Sequence, residues 1–482
     1  MALYWLIAGA LLGTAAVVAA LNAPHDAPNQ DIWQHIATLR ALIDGRGSPS
    51  NPFLATEDTS RHFSALWVAA AWLGGSLGLN PFTIFAAAGG VSMLVLAAGL
   101  YAFCVAYFRT AWGAILLLPL ILFGWVIEVE HTGYLSFRTL LFAAAYPATI
   151  MAGMCFALWA LVIQVLRQPG LTVALVPLVA LMLATHQLGA LIGLVVAGSL
   201  ILLWPEGVFR TRLAASFACV VGIALSLLWP FYNPIGMMLR GSSSSWDGGP
   251  DFYRIDVIAA LLLPAGLGFL GLRDRKARPF LLALGLFTGL YALGFLGLQV
   301  ASRFFVPVTL ILQIGLVSLL LELGKALHIG DALKRLTAVV FALALFGIAA
   351  HTVSAFQAAH IERRTSPVSP YAAAFALTQD LPNDVPIAAH GLSVWPVVAT
   401  GQRVISIPWP EPGIPDLAER QSVTAGLFEA GVSWQTRLER ASAAGVTTLI
   451  IDDRLIAAES LAEFIRNASS AQNIATYWRF DL

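Results

Sequence analysis

Long apolar runs separated by short charged loops make up roughly the first 355 residues of the chain. A run of about 20 apolar residues has the length of a helix that crosses the hydrocarbon core of a bilayer. The pattern therefore predicts a polytopic α-helical membrane protein with about eleven transmembrane helices. We place these helices at roughly Tyr4–Asn22, Pro81–Phe108, Ala111–Ile127, Thr139–Leu166, Leu171–Thr185, Gln187–Trp204, Leu213–Phe231, Ile255–Leu272, Pro279–Leu298, Phe304–Leu321 and Leu336–Ala355.

The apolar run from His62 to Leu79 is long enough to cross the membrane, but glycines interrupt it. Cytoplasmic loops of membrane proteins carry an excess of Lys and Arg. The basic loops of this chain, the strongest at 273–278, fall on one side only if this run does not cross. We therefore interpret His62–Leu79 as a juxtamembrane helix in a first outer loop, residues 23–80. The amino terminus is then inside, and the loops at 128–138 and 233–254 are outside.

The composition changes after about Phe356, where the apolar runs shorten and charged residues become more frequent. Short β-branched segments alternate there with helical stretches, which is typical of an α/β domain with a mainly parallel sheet. We expect a transmembrane domain over residues 1–356 and a soluble extracytoplasmic α/β domain over 357–482. Asp452 and Asp453 end one strand, where sites often lie, although such acids are also common turn formers. The predicted strands are Val385–Ala389, Val404–Pro408 and Thr447–Asp452, and the predicted helices are Leu417–Phe428, Trp434–Ala444 and Leu461–Asn467.

Composition agrees with a membrane protein. Of 482 residues, 58% are hydrophobic and 11% are charged, whereas soluble proteins have about 25% charged residues. The formal net charge is zero, so nothing points to a nucleic acid partner. The first run lacks a basic start and a small-residue cleavage site, so we expect a retained span rather than a signal peptide. Cys104, Cys155 and Cys219 lie inside hydrophobic segments, where core positions are favoured over disulfide or metal partners.

The stretch Gln30–Arg46 of the first outer loop predicts a short helix at the membrane surface. Its apolar residues recur at helical spacing, which gives the helix one apolar face. Asp31 and His35 lie one turn apart on a neighbouring face. The helix would hold a carboxylate and an imidazole at the water boundary. Alternatively, Asp31 stabilises the helix start by offsetting the helix dipole.

Further polar groups fall at the outer ends of the predicted spans. Arg303 opens a late apolar helix, where it would bind a phosphate at the membrane surface or anchor the helix by snorkelling. His186 interrupts an apolar run, where it would serve a site or cap a helix break. The remaining candidates on this side are Glu128, Glu130, His131, Arg240 and Asp247.

A metal cofactor is left open by the sequence. Glu128, Glu130 and His131 are ligand types that Mg²⁺ or Mn²⁺ would accept. The two glutamates face different sides of a helix, so both would reach one ion only if the helix has ended before them. The sequence therefore establishes no cofactor. A divalent cation, Mg²⁺ or Mn²⁺, bound by Glu128 and Glu130 is the candidate that these residues indicate.

These features together resemble the GT-C superfamily of integral membrane glycosyltransferases. The residues that carry the resemblance are Asp31-Ile-Trp-Gln-His35 in a first outer loop, Thr185-His186-Gln187 in a broken run and Arg303-Phe-Phe-Val-Pro at a late span. The stretch Ala399-Thr-Gly-Gln-Arg403-Val, with Arg420 and Ala444-Gly-Val-Thr-Thr-Leu-Ile-Ile, is similar to outer domains of bacterial members. The superfamily's first-loop acid is often one of a pair, but Asp31 has no adjacent acid.

The resemblance implies transfer of a sugar from a polyprenyl-phosphate or polyprenyl-diphosphate donor to a glycan, lipid or protein acceptor. The transfer would occur on the non-cytoplasmic side of the bacterial inner membrane. Under it, Asp31 is the base, Arg303 binds the donor phosphate, and His35 and His186 are positioning groups. The residues Glu128, Glu130 and His131 would line the acceptor or metal side. Arg240 is a further positioning or substrate candidate, and the 241–250 loop would close over bound substrate.

Two other functions remain compatible with the sequence. A lipid or glycan transporter or flippase would also place polar groups at helix ends and break a hairpin, although we find no mid-span acid and no repeated halves. A non-catalytic envelope assembly protein would retain the same fold, because fold does not determine function. Convergence of Asp31, His186 and Arg303 on one outer cavity would favour the transferase.

Overall fold

In the computed structural model, helices make up most of the chain, and a small sheet lies near the carboxyl terminus. The structure describes residues 1–23, 31–45, 49–125, 135–241, 252–271, 275–326, 331–363, 368–383, 385–409, 411 and 413–482. The helices before the carboxyl-terminal region are α1 (Ala2–Asn22), α2 (Asp31–Asp44), α3 (Ala65–Ser76), α4 (Pro81–Phe108), α5 (Trp112–Phe123), α6 (Phe137–Ala143), α7 (Pro147–Arg167), α8 (Leu175–Thr185), α9 (Gln187–Leu203), α10 (Phe209–Ser226), α11 (Pro234–Gly241), α12 (Ile255–Gly271), α13 (Arg278–Phe295), α14 (Phe305–Ala326) and α15 (Asp331–Arg363). The later elements are α16 (Pro370–Thr378), β1 (Ile387–Ala389), α17 (Val394–Ala399), α18 (Leu417–Phe428), α19 (Trp434–Ala443), β2 (Thr448–Asp452), α20 (Ala458–Asn467), β3 (Ser470–Ile474) and β4 (Tyr477–Asp481).

The helices confirm a polytopic membrane protein. Within the described residues, seven helical segments are long and apolar enough to cross a bilayer, and five shorter apolar helices of 10–17 residues accompany them. The seven segments are Ala2–Asn22, Pro81–Phe108, Pro147–Arg167, Phe209–Ser226, Arg275–Phe295, Val300–Ala326 and Val340–Ala358. The predicted number of about eleven crossings stays a prediction, because it depends on how the shorter helices sit in the bilayer.

Two compact units make up the chain. One contains Met1–Ala19 and Ala86–Ala358, and the other contains Ala20–Phe85 and Ala359–Leu482. The predicted division into a transmembrane domain and an extracytoplasmic domain at residue 356 stays a prediction. The segment 20–85, however, belongs to the same unit as the carboxyl-terminal region, although more than 270 residues of sequence separate them.

The predicted span Thr139–Leu166 is divided into α6 and α7. Pro147 occupies the first turn of α7, where a proline has no need of its missing N–H. Thr149 Oγ1 donates to the carbonyl of Ala143 across 2.8 Å, which satisfies the backbone at the break. A proline at this position ends the preceding helix, since its ring disfavours helical geometry at the residue before it.

Glycines let helices of the first unit approach closely. A side chain on Gly99 of α4 would collide with the backbone of Gly153 in α7, and Gly268 of α12 makes the same approach to Gly315 of α14. Small residues at such crossings are favoured in membranes, where close van der Waals packing helps to hold helices together. These two crossings fix the packing of α4 on α7 and of α12 on α14.

The carboxyl-terminal sheet has the strand order β1-β2-β4-β3. The pair β1–β2 is parallel, and the pairs β2–β4 and β3–β4 are antiparallel. The predicted mainly parallel sheet is therefore wrong, because the terminal hairpin β3–β4 was missed. Every residue of β3 except the half-buried Ile474 is exposed, so the strand carries no apolar alternation that sequence reading would detect.

The loop between α2 and α3 extends this sheet through Leu54. The predicted strand Val404–Pro408 is reduced to single bridges, in which Val404 pairs with Ile387 on one side and with Leu54 on the other. Val404 N donates to the carbonyl of Phe53 across 2.8 Å, and Ala55 N donates back to Val404 O across 3.3 Å. Backbone from the first loop thus satisfies a sheet edge that would otherwise be unpaired.

Candidate active site

Helix α2 carries two of the predicted site residues, Asp31 and His35. Asp31 is half-buried. Because it is the first residue of α2, its carboxylate lies near the positive end of the helix dipole. All residues from Ile32 to Leu39 are buried, including the polar side chains Gln34 and Thr38. The expected helix with a single apolar face is therefore not observed, because protein surrounds its first two turns on every side.

His35 is held by the second loop helix, α3. The indole N–H of Trp67 donates to Nδ1 of His35 across 3.1 Å, and both side chains are buried. A neutral imidazole that accepts at Nδ1 carries its proton on Nε2. Protonation of Nδ1 would break this bond. Phe85 stacks at 5.8 Å on the ring of Trp67 and encloses the pair.

His62 lies next to His35 and leads to a buried carboxylate. The two imidazole centroids are 6.2 Å apart. Nε2 of His62 lies 3.6 Å from Oε2 of Glu411, a distance that permits a charge contact but is long for a hydrogen bond. The other oxygen of Glu411 accepts from Ser60 Oγ at 3.2 Å and from the backbone N–H of Arg61 at 3.3 Å.

The charge on Glu411 is maintained by its neighbours. Its side chain has no solvent-exposed surface, and Arg61 Nε lies 3.5 Å from Oε2. Burial raises the pKa of Glu411, but the contact with His62 and the charge of Arg61 outweigh it, so the pKa lies below its ordinary value. Glu411 is therefore an ionised carboxylate inside the protein at neutral pH.

Arg40 joins the other end of α2 to the carboxyl-terminal region. Its Nε donates to the carbonyl of Ala399 at 3.2 Å, and its Nη2 donates to the hydroxyl of Tyr371 at 2.9 Å. Tyr371 also lies parallel to Trp33 of α2, with the ring centroids 6.2 Å apart. Two separate sets of contacts, at Arg40 and at Glu411, thus connect the first loop with residues 371–411.

His186 separates α8 from α9 in the first unit. Its backbone is extended, with φ −159° and ψ 105°, and its Nδ1 accepts from the backbone N–H of Gly189 at 3.0 Å. Tyr232 supports the break by donating to the carbonyl of Ala184 at 2.8 Å and accepting from Gln187 at 3.0 Å. His186 therefore caps a helix, which is the structural alternative considered above, and the cap leaves Nε2 to carry the proton of the neutral ring.

Arg303 also lies in the first unit. It occupies a short 3-10 helix, Gln299–Phe304, that leads directly into α14, and its side chain is half-buried. Asp31 and His35 belong to the second unit, whereas His186 and Arg303 belong to the first. The convergence of these groups on one cavity stays a prediction.

The side chains of the other predicted site residues are not described by the structure. Glu128, Glu130, His131 and Asp247 lie outside the described residues, and nothing is described of the Arg240 side chain at the end of α11. Among the residues that the structure describes, no three His, Cys, Asp or Glu side chains lie together as a metal site would require. The metal site suggested at Glu128 and Glu130 stays a prediction.

Glu411, which contacts Ser60, Arg61 and His62, was not among the residues predicted from the sequence. The residue stands between Pro410 and Pro412 in an apolar stretch, and an isolated acid in such surroundings is the signal that would have singled it out. His62 had no nameable partner in the sequence, because its partner lies in a distant part of the chain.

Comparison with known proteins identifies solved structures with a similar fold. No family model matches the chain, and no curated protein matches its sequence. Among solved structures, the arabinofuranosyltransferase AftD from Mycobacteria is 16% identical with a TM-score of 0.60, covering 98% of this chain and 40% of that one. The Archaeoglobus fulgidus oligosaccharyltransferase in complex with Zn and sulfate is 13% identical with a TM-score of 0.55, covering 92% of this chain and 68% of that one. The same organism's AglB with an inhibitory peptide and a dolichol-phosphate is 12% identical with a TM-score of 0.51, covering 93% and 69%.

Both of these proteins are membrane glycosyltransferases of the GT-C superfamily. At such low identities the likeness shows the fold, and here it extends over nearly the whole chain. The chain is thus an integral membrane protein with a GT-C fold, and the resemblance predicted from the sequence is confirmed. The chain spans 40% of the length of AftD.

Proposed function

We propose that the protein is a membrane glycosyltransferase that moves a sugar from a polyprenyl-phosphate donor to an acceptor on the non-cytoplasmic face of the inner membrane. The GT-C fold over nearly the whole chain is the observation that carries this proposal. The dolichol-phosphate bound to AglB supports a lipid phosphate as the donor group. The acceptor peptide tethered to the Archaeoglobus fulgidus oligosaccharyltransferase supports a peptide or glycan acceptor in general terms.

The proposed chemistry assigns the acceptor proton to Asp31. Its carboxylate takes the proton of the acceptor hydroxyl as the hydroxyl oxygen attacks the anomeric carbon of the donor sugar. The bond from that carbon to the phosphate oxygen breaks, and the electron pair leaves with the lipid phosphate. The guanidinium of Arg303 stabilises the charge that develops on this phosphate.

The two histidines are positioning groups in this mechanism. His35 lies one turn from Asp31 on α2, and its Trp67 partner fixes the ring with the proton on Nε2. His186 is fixed in the same tautomer by the backbone N–H of Gly189. An N–H at Nε2 is the kind of donor that a phosphate or sugar oxygen accepts.

No step of this mechanism runs through a metal ion. The described residues do not supply a three-ligand site. Glu128, Glu130 and His131 are the side chains to test for Mg²⁺ or Mn²⁺, and they would line the acceptor or metal side. Arg240 is a further positioning or substrate candidate. Addition of a chelator to the transfer assay shows whether a divalent cation is required.

The proposal is tested by sugar transfer with purified protein reconstituted into liposomes. We would offer a panel of radiolabelled polyprenyl-phosphate sugars with glycan, lipid and peptide acceptors, and compare wild type with Asp31→Asn. Loss of a general base lowers a rate by about 10²–10⁴-fold. Asp31→Asn should cause a loss of this size while donor binding persists.

Asp44→Asn is the matched control, because Asp44 is an exposed carboxylate at the other end of α2. It should retain wild-type transfer. Full activity of Asp31→Asn would exclude Asp31 as the base. Absence of transfer and hydrolysis with every donor, together with lipid movement across the bilayer, would replace the transferase with a flippase.

A further inference from the structure

We propose that Glu411 is a positioning residue for the transfer reaction, holding the Asp31 helix in place through His62 and His35. This inference rests on the proposed function for its catalytic part. Its structural part, that Glu411 restrains α2, stands on the geometry of the second unit alone.

Glu411 first ties down the segment that precedes α3. Its Oε1 accepts hydrogen bonds from Ser60 Oγ and Arg61 N, and its Oε2 faces Arg61 Nε and His62 Nε2 at 3.5 and 3.6 Å. Three consecutive residues thus converge on one buried carboxylate that is 351 positions from the first of them. Hydrogen bonds to a charged group are stronger than those to a neutral one.

His62 connects Glu411 with α2, because it contacts both Glu411 and His35. Its ring packs edge-on against Phe53 at 5.0 Å and lies 6.2 Å from the ring of His35. Phe53 in turn contacts Trp409 at 5.5 Å, two residues before Glu411. The imidazole of His62 is therefore confined between the carboxylate and His35.

His35 completes the path because it is part of α2. Its Nδ1 is bound to Trp67, and its ring also lies 6.4 Å from Phe85. Among the described residues, the titratable or charged groups along this path are Glu411, Arg61, His62 and His35. A shift of the His62 ring would change the packing of His35. If α2 then rotates about its axis at residue 35, Asp31, which lies one turn away on the same helix, moves as well.

A purely structural role for Glu411 is the alternative. A buried carboxylate that merely holds the loop would affect stability when it is changed, but it would leave the catalytic rate of the folded protein unaltered. A positioning role lowers the maximal rate with little change in donor KM, since a displacement of about 1 Å can cost about 10²-fold in rate.

The first experiment compares Glu411→Gln with wild type by hydrogen exchange and by transfer kinetics. We expect faster amide exchange over residues 31–44 of α2. We also expect kcat to fall by about 10-fold or more, with KM for the donor within about twofold. Glu419→Gln is the matched control, because Glu419 is an exposed glutamate of the same unit, and it should match wild type in both measurements.

His62→Gln tests the link itself, since it leaves the contacts of Glu411 with Ser60 and Arg61 in place. If Glu411 acts through His62, the double variant Glu411→Gln with His62→Gln should be no slower than the worse single variant. Multiplicative losses would overturn the proposed path. His62→Gln also carries the test if Glu411→Gln does not fold.

The outcomes separate this inference from the proposed function. Unchanged exchange over α2 in both variants would overturn the restraint, whatever the activity. Faster exchange with unchanged kcat would leave Glu411 a structural residue only. If wild type transfers no sugar from any donor, the proposed function and the catalytic part of this inference fail together, while the exchange result still decides whether Glu411 restrains α2.

Discussion

Trp67 donates its indole N–H to Nδ1 of His35 across 3.1 Å, and this bond joins helices α2 and α3. Both helices were predicted from sequence, but their contact was not. The bond links a residue in the second turn of α2 to the first turn of α3. It also sets the tautomer of His35 beside the proposed catalytic carboxylate.

Replacement Trp67→Phe should destabilise the protein by about 1–3 kcal/mol, because it leaves the buried Nδ1 of His35 without its donor. The ring of phenylalanine keeps much of the packing against Phe85. Thermal unfolding in detergent measures the change. Trp72→Phe is the control, since Trp72 of α3 is 76% exposed, and equal shifts for the two variants would contradict the importance of the bond.

Replacement Gly401→Ala should destabilise the second unit more than Gly431→Ala. Both glycines have positive φ, +96° and +78°, which costs an alanine roughly 1–2 kcal/mol. A Cβ on Gly401 would also lie 2.5 Å from Cδ of Arg40, whereas one on Gly431 meets nothing within 4 Å. The difference between their unfolding temperatures isolates the Arg40 contact, and identical temperatures would show that Arg40 moves aside freely.

Replacement Gly268→Ala should disrupt the crossing of α12 and α14. The added methyl group would collide with the backbone of Gly315, which cannot move without separating the helices. Overpacking of this kind costs typically about 1–3 kcal/mol. Gly266→Ala is the control, because a Cβ there meets nothing within 4 Å, and alanine is the better helix former. A stable Gly268→Ala protein by thermal unfolding would refute the close approach.

Protonation of His390 should contribute to acid destabilisation of the second unit. Burial lowers the pKa of His390, although the charge of Asp452 opposes the effect. An unfolded histidine has a pKa of about 6.5, so the unfolded chain binds this proton first as the pH falls. The free energy of unfolding therefore decreases below about pH 6.5 until the folded-state pKa is passed.

His390→Gln removes this contribution, so its unfolding temperature should depend less on pH between about 7 and 5 than that of wild type. Unfolding scans of both proteins at several pH values measure the slopes. Identical slopes would show that His390 does not take part. The packing of the His390 ring against Phe428 at 4.9 Å predicts that the variant is also less stable at neutral pH.

The sequence by itself determined the membrane class and most helix positions. Helices such as α4 and α14 are readable because a bilayer requires long apolar segments whose backbone hydrogen bonds are satisfied locally. The break between α8 and α9 could also be predicted, because the polar residue His186 interrupts an apolar run. The resemblance to the GT-C superfamily also came from local motifs in the sequence, and the fold of the chain confirms that resemblance.

Only the tertiary structure decided how distant segments combine. The exposed strand β3 gives no apolar pattern, and the pairing of Leu54 with Val404 depends on chain segments that are far apart. The same is true of Glu411 and His62, whose contact spans most of the chain. Local spacing encodes the elements, because helix and strand periodicity act over a few residues. A buried carboxylate acquires its partners only when the whole unit has folded around it.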